Sequence, residues 1–450
     1  MKYVIAFLKD IWNRPSLYFF AFLIIFSIDR HERLEHHAAE RSPFNFDVFE
    51  YYRILPDYFI NHGETSHAFY KTTFGMAIMY SPAFFAGDQL AKSTGAERNG
   101  YSEPYQRTIR WISIIYCIAG LWFCRLSLLR FFSEVVTLAT LVTVFFATNL
   151  FYYTYGWGQL PHSHLFFLYS AFIYATLRWL LDARRGGLLW LAFLGGFVTL
   201  VRPTGVFVFL FPLLFGVNSL PALKTRIGYF FSQGWLAAMS LLLAVLPFMA
   251  QMVFWKVRTG HFLYWSYLGE RFFFDDPQVI NFLFSYRKGW LVYTPVMVFA
   301  LAGIAVSYRN LKAFFWPVLA LLVLYVYLLS SWWEWSYGGS FGCRAMVEFY
   351  AFLAFPLAAF ISWCWQQGKD AIPFRLLRVA IVLALYFLVK LNLWQTKLFR
   401  ATIIHWSGMN RETYWYIMRR DTFNAADYEY LQSRFTPPDP EKMRKGERNQ

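Results

Sequence analysis

Apolar stretches close to the roughly 20 residues needed to cross a bilayer recur through this chain from residue 16 to residue 391, and no other feature limits its fold so strongly. In hydrocarbon every backbone N–H and C=O must find a partner within the protein, so stretches of this length commit a chain to helices. Of the 450 residues 58% are hydrophobic and 15% charged, where a soluble domain has about a quarter charged. The expected fold class is therefore an all-α integral membrane protein. The hydropathy pattern predicts about 11 transmembrane helices, at 16–28, 108–128, 134–152, 163–181, 187–200, 206–217, 229–254, 290–307, 314–331, 349–365 and 376–391. The spans 187–200 and 206–217 are short enough to be broken or tilted.

Lys and Arg in short loops set orientation. One set of alternate loops holds fifteen basic and four acidic residues, a net of +11, and the rest of the chain holds the remaining +4. That asymmetry predicts a cytoplasmic N-terminus and a periplasmic C-terminus, and the first span, with no small-residue cleavage site behind it, is expected to be a retained helix rather than a cleaved signal peptide. The basic residues fall in topogenic pairs and form no stripe interleaved with aromatics, so no nucleic-acid partner is expected. Cys117, Cys124, Cys343 and Cys364 have neither disulfide nor zinc spacing.

The unusual sequence lies in the expected outside segments: 29–107, 255–289, 331–347 and the region after 392. Within the first periplasmic loop, 29–107, residues 48–61 alternate apolar residues with Glu50, Arg53 and Asp57 at a spacing that suits an interfacial amphipathic helix. Residues 74–90, with Gly75, Pro82 and Gly87, predict a re-entrant or interfacial helix. The domain reading is a transmembrane catalytic part at 1–391, a periplasmic segment at 392–435, and a disordered tail at 436–450 that has little to bury.

Asp47 follows the first span and opens the run Asp47-Val48-Phe49-Glu50-Tyr51-Tyr52, where an acid can act on a substrate at the membrane surface. Lys71, in Phe69-Tyr70-Lys71-Thr72-Thr73, places an ammonium before the second loop helix. Arg202 precedes Pro203, which drives its backbone away from helix. His162 and His164 open the fourth span at an i,i+2 spacing poor for two metal ligands on one helical face; His164 is the better hydrogen-bonding candidate. The segment from Trp332 through Glu334, Gly338, Gly339 and Gly342 to Arg344 combines aromatic faces for a sugar, close backbone approach, and a guanidinium for a phosphate. Tyr286-Arg287-Lys288-Gly289 repeats the theme more weakly. Together these residues predict an outside pocket with one base and several cations, suited to a lipid phosphate.

In layout the chain resembles the membrane-embedded C-type (GT-C) glycosyltransferases, a superfamily with the protein O-mannosyltransferases and the aminoarabinose transferase of lipid A. By position Asp47 is similar to their catalytic Asp, with Glu50 in the place of a second acid. Lys71 resembles the lysine that contacts donor phosphate in the lipid A enzymes, and Arg202-Pro203-Thr204 resembles their turn after the fifth span. The chain is also similar to a family of membrane proteins common in Bacteroidetes. That likeness rests on Asp47 through Pro56, Thr148 through Tyr153, Ser163-His164, Arg202-Pro203, Phe284 through Gly289, Tyr293-Thr294-Pro295, and Tyr337 through Gly342 with Arg344. Two departures stand: Glu50 is three residues from Asp47 rather than adjacent to the acid, and Thr72-Thr73 replaces Pro-Pro.

The resemblance implies an inverting glycosyltransferase moving a sugar from a polyprenyl-phosphate donor to an acceptor hydroxyl at the periplasmic face of a bacterial inner membrane. Its catalytic residues would be Asp47 and Glu50. Lys71, His164, Arg202, Arg344, Tyr52, His162, Arg287, Lys288 and Glu334 would bind substrate. The expected partners are the lipid-linked donor, an acceptor hydroxyl of unspecified identity, and the bilayer. No cofactor is expected, and the residues leave the need for a divalent metal open. The alternative from another class is a transporter or flippase for a lipid-linked saccharide, which would place charges deep in the spans.

Overall fold

A computed structural model describes residues 14–38, 42–61, 69–366 and 372–448. Among them the fold is all-helical, 72% helix without strands. Lys2, Lys9, Asp10, Lys369 and Asp370, which entered the charge count, lie outside the described residues. Contacts divide the chain into two compact units.

The first unit comprises 1–138 and 153–266. It begins with α1 (Pro15–Ala38), then two short loop helices, α2 (Asp47–Tyr52) and α3 (Ile54–Phe59). The single amphipathic helix expected over 48–61 is thus interrupted at Arg53. Next come α4 (Gly75–Thr94), α5 (Glu103–Leu128) and α6 (Glu134–Phe146), whose second half belongs to the other unit, as does the first residue of α7 (Tyr152–Tyr155). Residues 74–90, expected to form a re-entrant or interfacial helix, fall from Gly75 onward in one continuous helix, α4, with Pro82 accommodated inside it. After α8 (Pro161–Leu180) and α9 (Arg185–Val201), the expected span 206–217 is a 3-10 helix, Pro203–Phe209, followed by α10 (Leu210–Leu214). The expected span 229–254 is split at Gln233-Gly234 between α11 (Leu220–Ser232) and α12 (Trp235–Thr259).

Two interactions show how this unit is held. Arg125 on α5 is buried and donates to Ser16 Oγ at 2.5 Å and Glu134 Oε1 at 2.7 Å, joining α1, α5 and α6 around one guanidinium. Gly196 on α9 faces the Ala244 carbonyl of α12 so closely that a Cβ would collide with it, the small-residue contact that lets membrane helices approach.

The second unit comprises 139–152 and 267–450. It contains α13 (Val279–Phe284), α14 (Trp290–Tyr293), α15 (Met297–Asn310), α16 (Lys312–Ser331), α17 (Tyr350–Gln366) and α18 (Ile372–Arg400). The expected span 290–307 breaks at Thr294, because the following Pro295 disfavours helical backbone there. Beyond α18 lie α19 (Arg411–Met418), α20 (Ala425–Arg434) and α21 (Pro440–Lys445). The tail expected to be disordered is folded: Met443 packs with Phe273, Trp333 and Trp335, and Arg448 is buried. Its apolar partners lie more than a hundred residues away, so local composition gave no sign of them.

Among the described residues four helices are long and apolar enough to cross a membrane: α5, α12, α16 and α18. Shorter apolar helices are α6, α9, α17 and the stretch Pro203–Leu214. The chain is a multi-pass membrane protein in this sense.

Candidate functional site

The candidate residues divide between the units. Asp47, Glu50, Tyr52, Lys71, His162, His164 and Arg202 lie in the first; Arg287, Lys288, Glu334 and Arg344 lie in the second.

Asp47 is exposed at the first turn of α2. The preceding Phe46 is 81% exposed with φ 49° and ψ −128°, a left-handed conformation that costs a non-glycine residue about 1–2 kcal/mol. Strain of this kind is retained where surrounding structure imposes it, commonly at functional sites. Here the Phe46 ring meets Trp157 edge-on at 6.3 Å, fixing the turn that presents the carboxylate. The Asp47 carboxylate lies within electrostatic reach of the buried Tyr80 hydroxyl, which donates to the Gln159 carbonyl. Glu50, one turn further along α2, pairs with Arg53 Nη2 at 2.9 Å. Tyr52 serves the packing of the unit. Fully buried, it stacks on Phe44 at 4.1 Å and donates to the Gly100 carbonyl at 2.6 Å, anchoring α2 from below.

The cations of this unit are set by five consecutive residues, each bonded or packed against a different partner. The Lys71 carbonyl accepts from Ser266 Oγ at 2.6 Å. Thr72 Oγ1 donates to the Glu50 carbonyl at 3.1 Å, and Thr73 Oγ1 donates to the Leu200 carbonyl at the end of α9. Phe74 N donates to the buried Gln251 Oε1 at 2.9 Å, and Gly75 lies against Val201 without room for a Cβ. Threonine in place of proline thus supplies two hydroxyl donors that proline lacks. One consequence is convergence: Lys71 stands two residues before a hydrogen bond whose acceptor stands two residues before Arg202. Arg202 is extended (φ −145°, ψ 115°), the geometry Pro203 imposes. Lys71 is exposed and Arg202 half-buried.

His164 is fully buried at the start of α8. Its Nδ1 lies 3.2 Å from the Leu160 carbonyl, its ring packs on Tyr80 at 5.6 Å and Tyr116 at 5.0 Å, and its Nε2 is buried without a hydrogen-bond partner. Since Asp47 also lies near Tyr80, the acid and this histidine flank one tyrosine. His162 is 1% exposed, with its ring 4.7 Å from Tyr153.

The second unit builds a cation cluster of its own. Lys288 is buried, with its Nζ donating to the Ser340 carbonyl. Burial pushes its pKa well below the ordinary lysine value, and Arg344 and Arg287 add to this while Glu334 opposes it. The four residues predicted from two separate motifs therefore share one electrostatic neighbourhood. Arg287 is 6% exposed; its Nη2 donates to the Thr436 carbonyl at 3.2 Å, and its Nε and Nη1 are buried without partners.

The loop carrying Arg344 is shaped from beneath. Gly342 has φ 57° and a Cβ there would lie 2.9 Å from Tyr293 Cβ, so glycine is required twice over. Asn149 Nδ2 donates to the carbonyls of Phe341 at 3.2 Å and Cys343 at 3.4 Å, and Asn149 Oδ1 accepts from the Tyr350 hydroxyl at 2.8 Å. The motifs around Asn149 and Tyr293-Thr294 thus act as supports for the glycine loop.

Sequence reasoning missed three residues here. His405 accepts from Ser407 N at 3.0 Å and Gly408 N at 2.7 Å through Nδ1, and burial, with Lys288 nearby, holds its pKa below the usual value. Glu348 is a fully buried carboxylate within electrostatic reach of Cys343 and Tyr350. Trp406 is 54% exposed and faces Gly339. Only the exposed aromatic beside a histidine offered a signal. Among the described residues no three His, Cys, Asp or Glu side chains group as a metal site.

No protein-family model and no curated protein matches the chain. Two solved structures are similar in part. The crystal structure of the Archaeoglobus fulgidus oligosaccharyltransferase in the apo form is 15% identical with a TM-score of 0.47. The oligosaccharyltransferase AglB of that organism, in complex with an inhibitory peptide and a dolichol-phosphate, is 14% identical with a TM-score of 0.46. Each comparison covers 94% of this chain and 60% of the other, so the chain spans less than two thirds of their length. Likeness of that degree leaves the functional reading to rest on the residues above.

Proposed function

We propose that the first unit carries the transfer site of an integral-membrane, inverting glycosyltransferase of the C type that uses a polyprenyl-phosphate sugar. The observation that carries this reading is the bonded convergence of residues 71–75. Thr72 ties the Lys71 segment to the helix of Asp47 and Glu50, and Thr73 ties it to the end of α9 that bears Arg202. A carboxylate and two cations are thereby built into one hydrogen-bonded unit from three distant stretches of sequence.

The chemistry follows from the groups. Asp47 takes the proton of the acceptor hydroxyl as its oxygen attacks the anomeric carbon. The bond from that carbon to the phosphate oxygen breaks, its electron pair passes to the phosphate, and Lys71 and Arg202 stabilise the charge that develops there. Attack opposite the leaving group inverts the anomeric centre. The buried His164 and Tyr80 pair, with Asp47 in electrostatic reach of Tyr80, is assigned to orienting the acid and the substrate hydroxyls. Glu50, already paired with Arg53, acts on the geometry of α2. The residues that support the site are those expected on the outer face of a bacterial inner membrane.

The test is purified protein with defined polyprenyl-phosphate sugars, scoring release of polyprenyl phosphate. Asp47→Asn is expected to lower kcat by about 10²–10⁴-fold with unchanged thermal stability, because Asp47 is exposed. Wild-type turnover in that variant would overturn the assignment.

A further inference from the structure

A cavity of about 310 Å³ in the first unit lies between α8, α9, α10, α11 and α12, lined by Trp179, Leu188, Phe209, Leu213, Arg226 and Phe230 among others. That volume is at the lower end of the range for small-molecule pockets. Its walls are almost wholly apolar apart from Ser240, whose hydroxyl donates to the Ala237 carbonyl at 2.8 Å, the Trp179 indole and Arg226. Trp179 is 4% exposed, and its Nε1 is buried with no hydrogen-bond partner. Arg226 Nη2 donates to the Phe215 carbonyl at 2.7 Å, and among the described residues no carboxylate pairs with this guanidinium. A guanidinium without a carboxylate partner on the wall of an apolar cavity marks a place for an acceptor carrying negative charge.

The wall formed by α11 indicates where such an acceptor comes from. This helix has no buried residue: Leu220, Ile227 and Phe231 are 76%, 42% and 64% exposed, and Lys224 and Arg226 share the helix with them. Exposed apolar residues alternating with basic ones describe a helix lying in a membrane interface. Its neighbour α12 is apolar enough to span. The cavity therefore sits where a chain from the bilayer can enter while its headgroup stays level with Arg226.

We propose that this cavity is a binding site for an anionic phospholipid of the surrounding bilayer, one acyl chain filling the apolar space and the phosphate accepting from Arg226. Asp47, Lys71 and Arg202 do not line this cavity, and its occupancy does not depend on the transfer reaction.

The test uses wild-type protein in phosphatidylcholine nanodiscs doped with a diazirine-acyl probe, either phosphatidylglycerol or phosphatidylcholine, with labelled peptides mapped after photolysis. Peptides of α11 and α12 should be labelled about tenfold more by the phosphatidylglycerol probe, the range expected of hydrogen bonds to a charged group. Arg226→Gln should reduce that preference to near unity. Leu241→Trp, at a 54% exposed position on the cavity rim where folding tolerates it, should reduce labelling by both probes several-fold. Three outcomes would each overturn the proposal. One is equal labelling of these peptides by the two probes. Another is labelling no stronger than on the exposed face of α18, which reports ordinary annular lipid. The third is displacement of the probe by equimolar polyprenyl phosphate, which would make the occupant a substrate instead of a bilayer lipid.

Discussion

Arg448 offers the sharpest test of how the second unit is assembled, because its side chain is fully buried and bonded at both guanidinium ends. Nη1 donates to the carbonyls of Ser330, Ser331 and Trp332 at 3.3, 3.3 and 3.1 Å, groups that the C-terminus of α16 leaves without helical donors. Nη2 donates to Asp276 Oδ2 at 3.1 Å, and the guanidinium lies 4.7 Å from the Phe273 ring. Single bonds from a charged donor contribute about 1.5–3 kcal/mol, but two of these are long and such contributions do not add. Asp276 is 52% exposed, so it rehydrates when its partner is lost. Arg448→Met should therefore cost about 3 kcal/mol in all, from the lost charged bonds and the Trp332 carbonyl left without this donor, since the Ser330 and Ser331 carbonyls keep the Gln278 and Phe273 N–H donors.

That cost falls on the tail, not on the whole protein. Met443 is its deep apolar anchor, so the tail should open locally while α13 to α18 stay folded. A loss of about 3 kcal/mol raises the open population roughly a hundredfold. In native-state trypsin digestion the cutting rate after Lys442, Arg444 and Lys445 follows that population and should rise by the same factor, while Asp276→Asn should raise it only a few-fold. An increase below about fivefold for Arg448→Met would refute the reasoning. Since Trp335 Nε1 donates to the Arg448 carbonyl at 3.0 Å, the opened tail also releases the loop that carries Ser340 and Arg344.

Three further outcomes follow from particular contacts. Gly342→Ala should destabilise the protein by about 2–3 kcal/mol in urea titrations, combining the left-handed φ with the close approach of Tyr293; a neutral result would mean the loop is not held as described. Thr73→Val keeps the shape but strands the Leu200 carbonyl, at about 1–3 kcal/mol, and should raise the KM for donor more than it lowers kcat; an unchanged KM would detach Lys71 and Arg202 from the site. Lys288 has its folded pKa depressed by burial, so between that value and the unfolded lysine pKa of about 10.4 the unfolded chain holds the extra proton and stability rises with pH. Wild-type thermal stability should therefore increase from about pH 7 to about pH 9.5 relative to Lys288→Met, and parallel pH profiles would sink the idea that a buried ammonium is the cost.

What the sequence made legible was whatever repeats locally. Apolar length predicted helices, and the proline after Arg202 predicted its extended backbone, because both depend on neighbours in the chain. The breaks at Thr294 and at Gln233-Gly234 were also local, yet hydropathy averages across a proline or a glycine and cannot see them. The site divides in the same way. Asp47, Lys71 and Arg202 were found as residue types in suitable places, but the two threonines that join them act through bonds spanning 22 and 127 residues, for which no sequence period exists. Thr72-Thr73 stands where the resemblance calls for Pro-Pro. The structure turns it into the joint itself, since a proline pair has no hydroxyl to donate to the Glu50 and Leu200 carbonyls. The folded tail failed for the same reason: Lys- and Glu-rich sequence buries little by itself, and only the distant partners of Met443 and Arg448 make its ordering favourable.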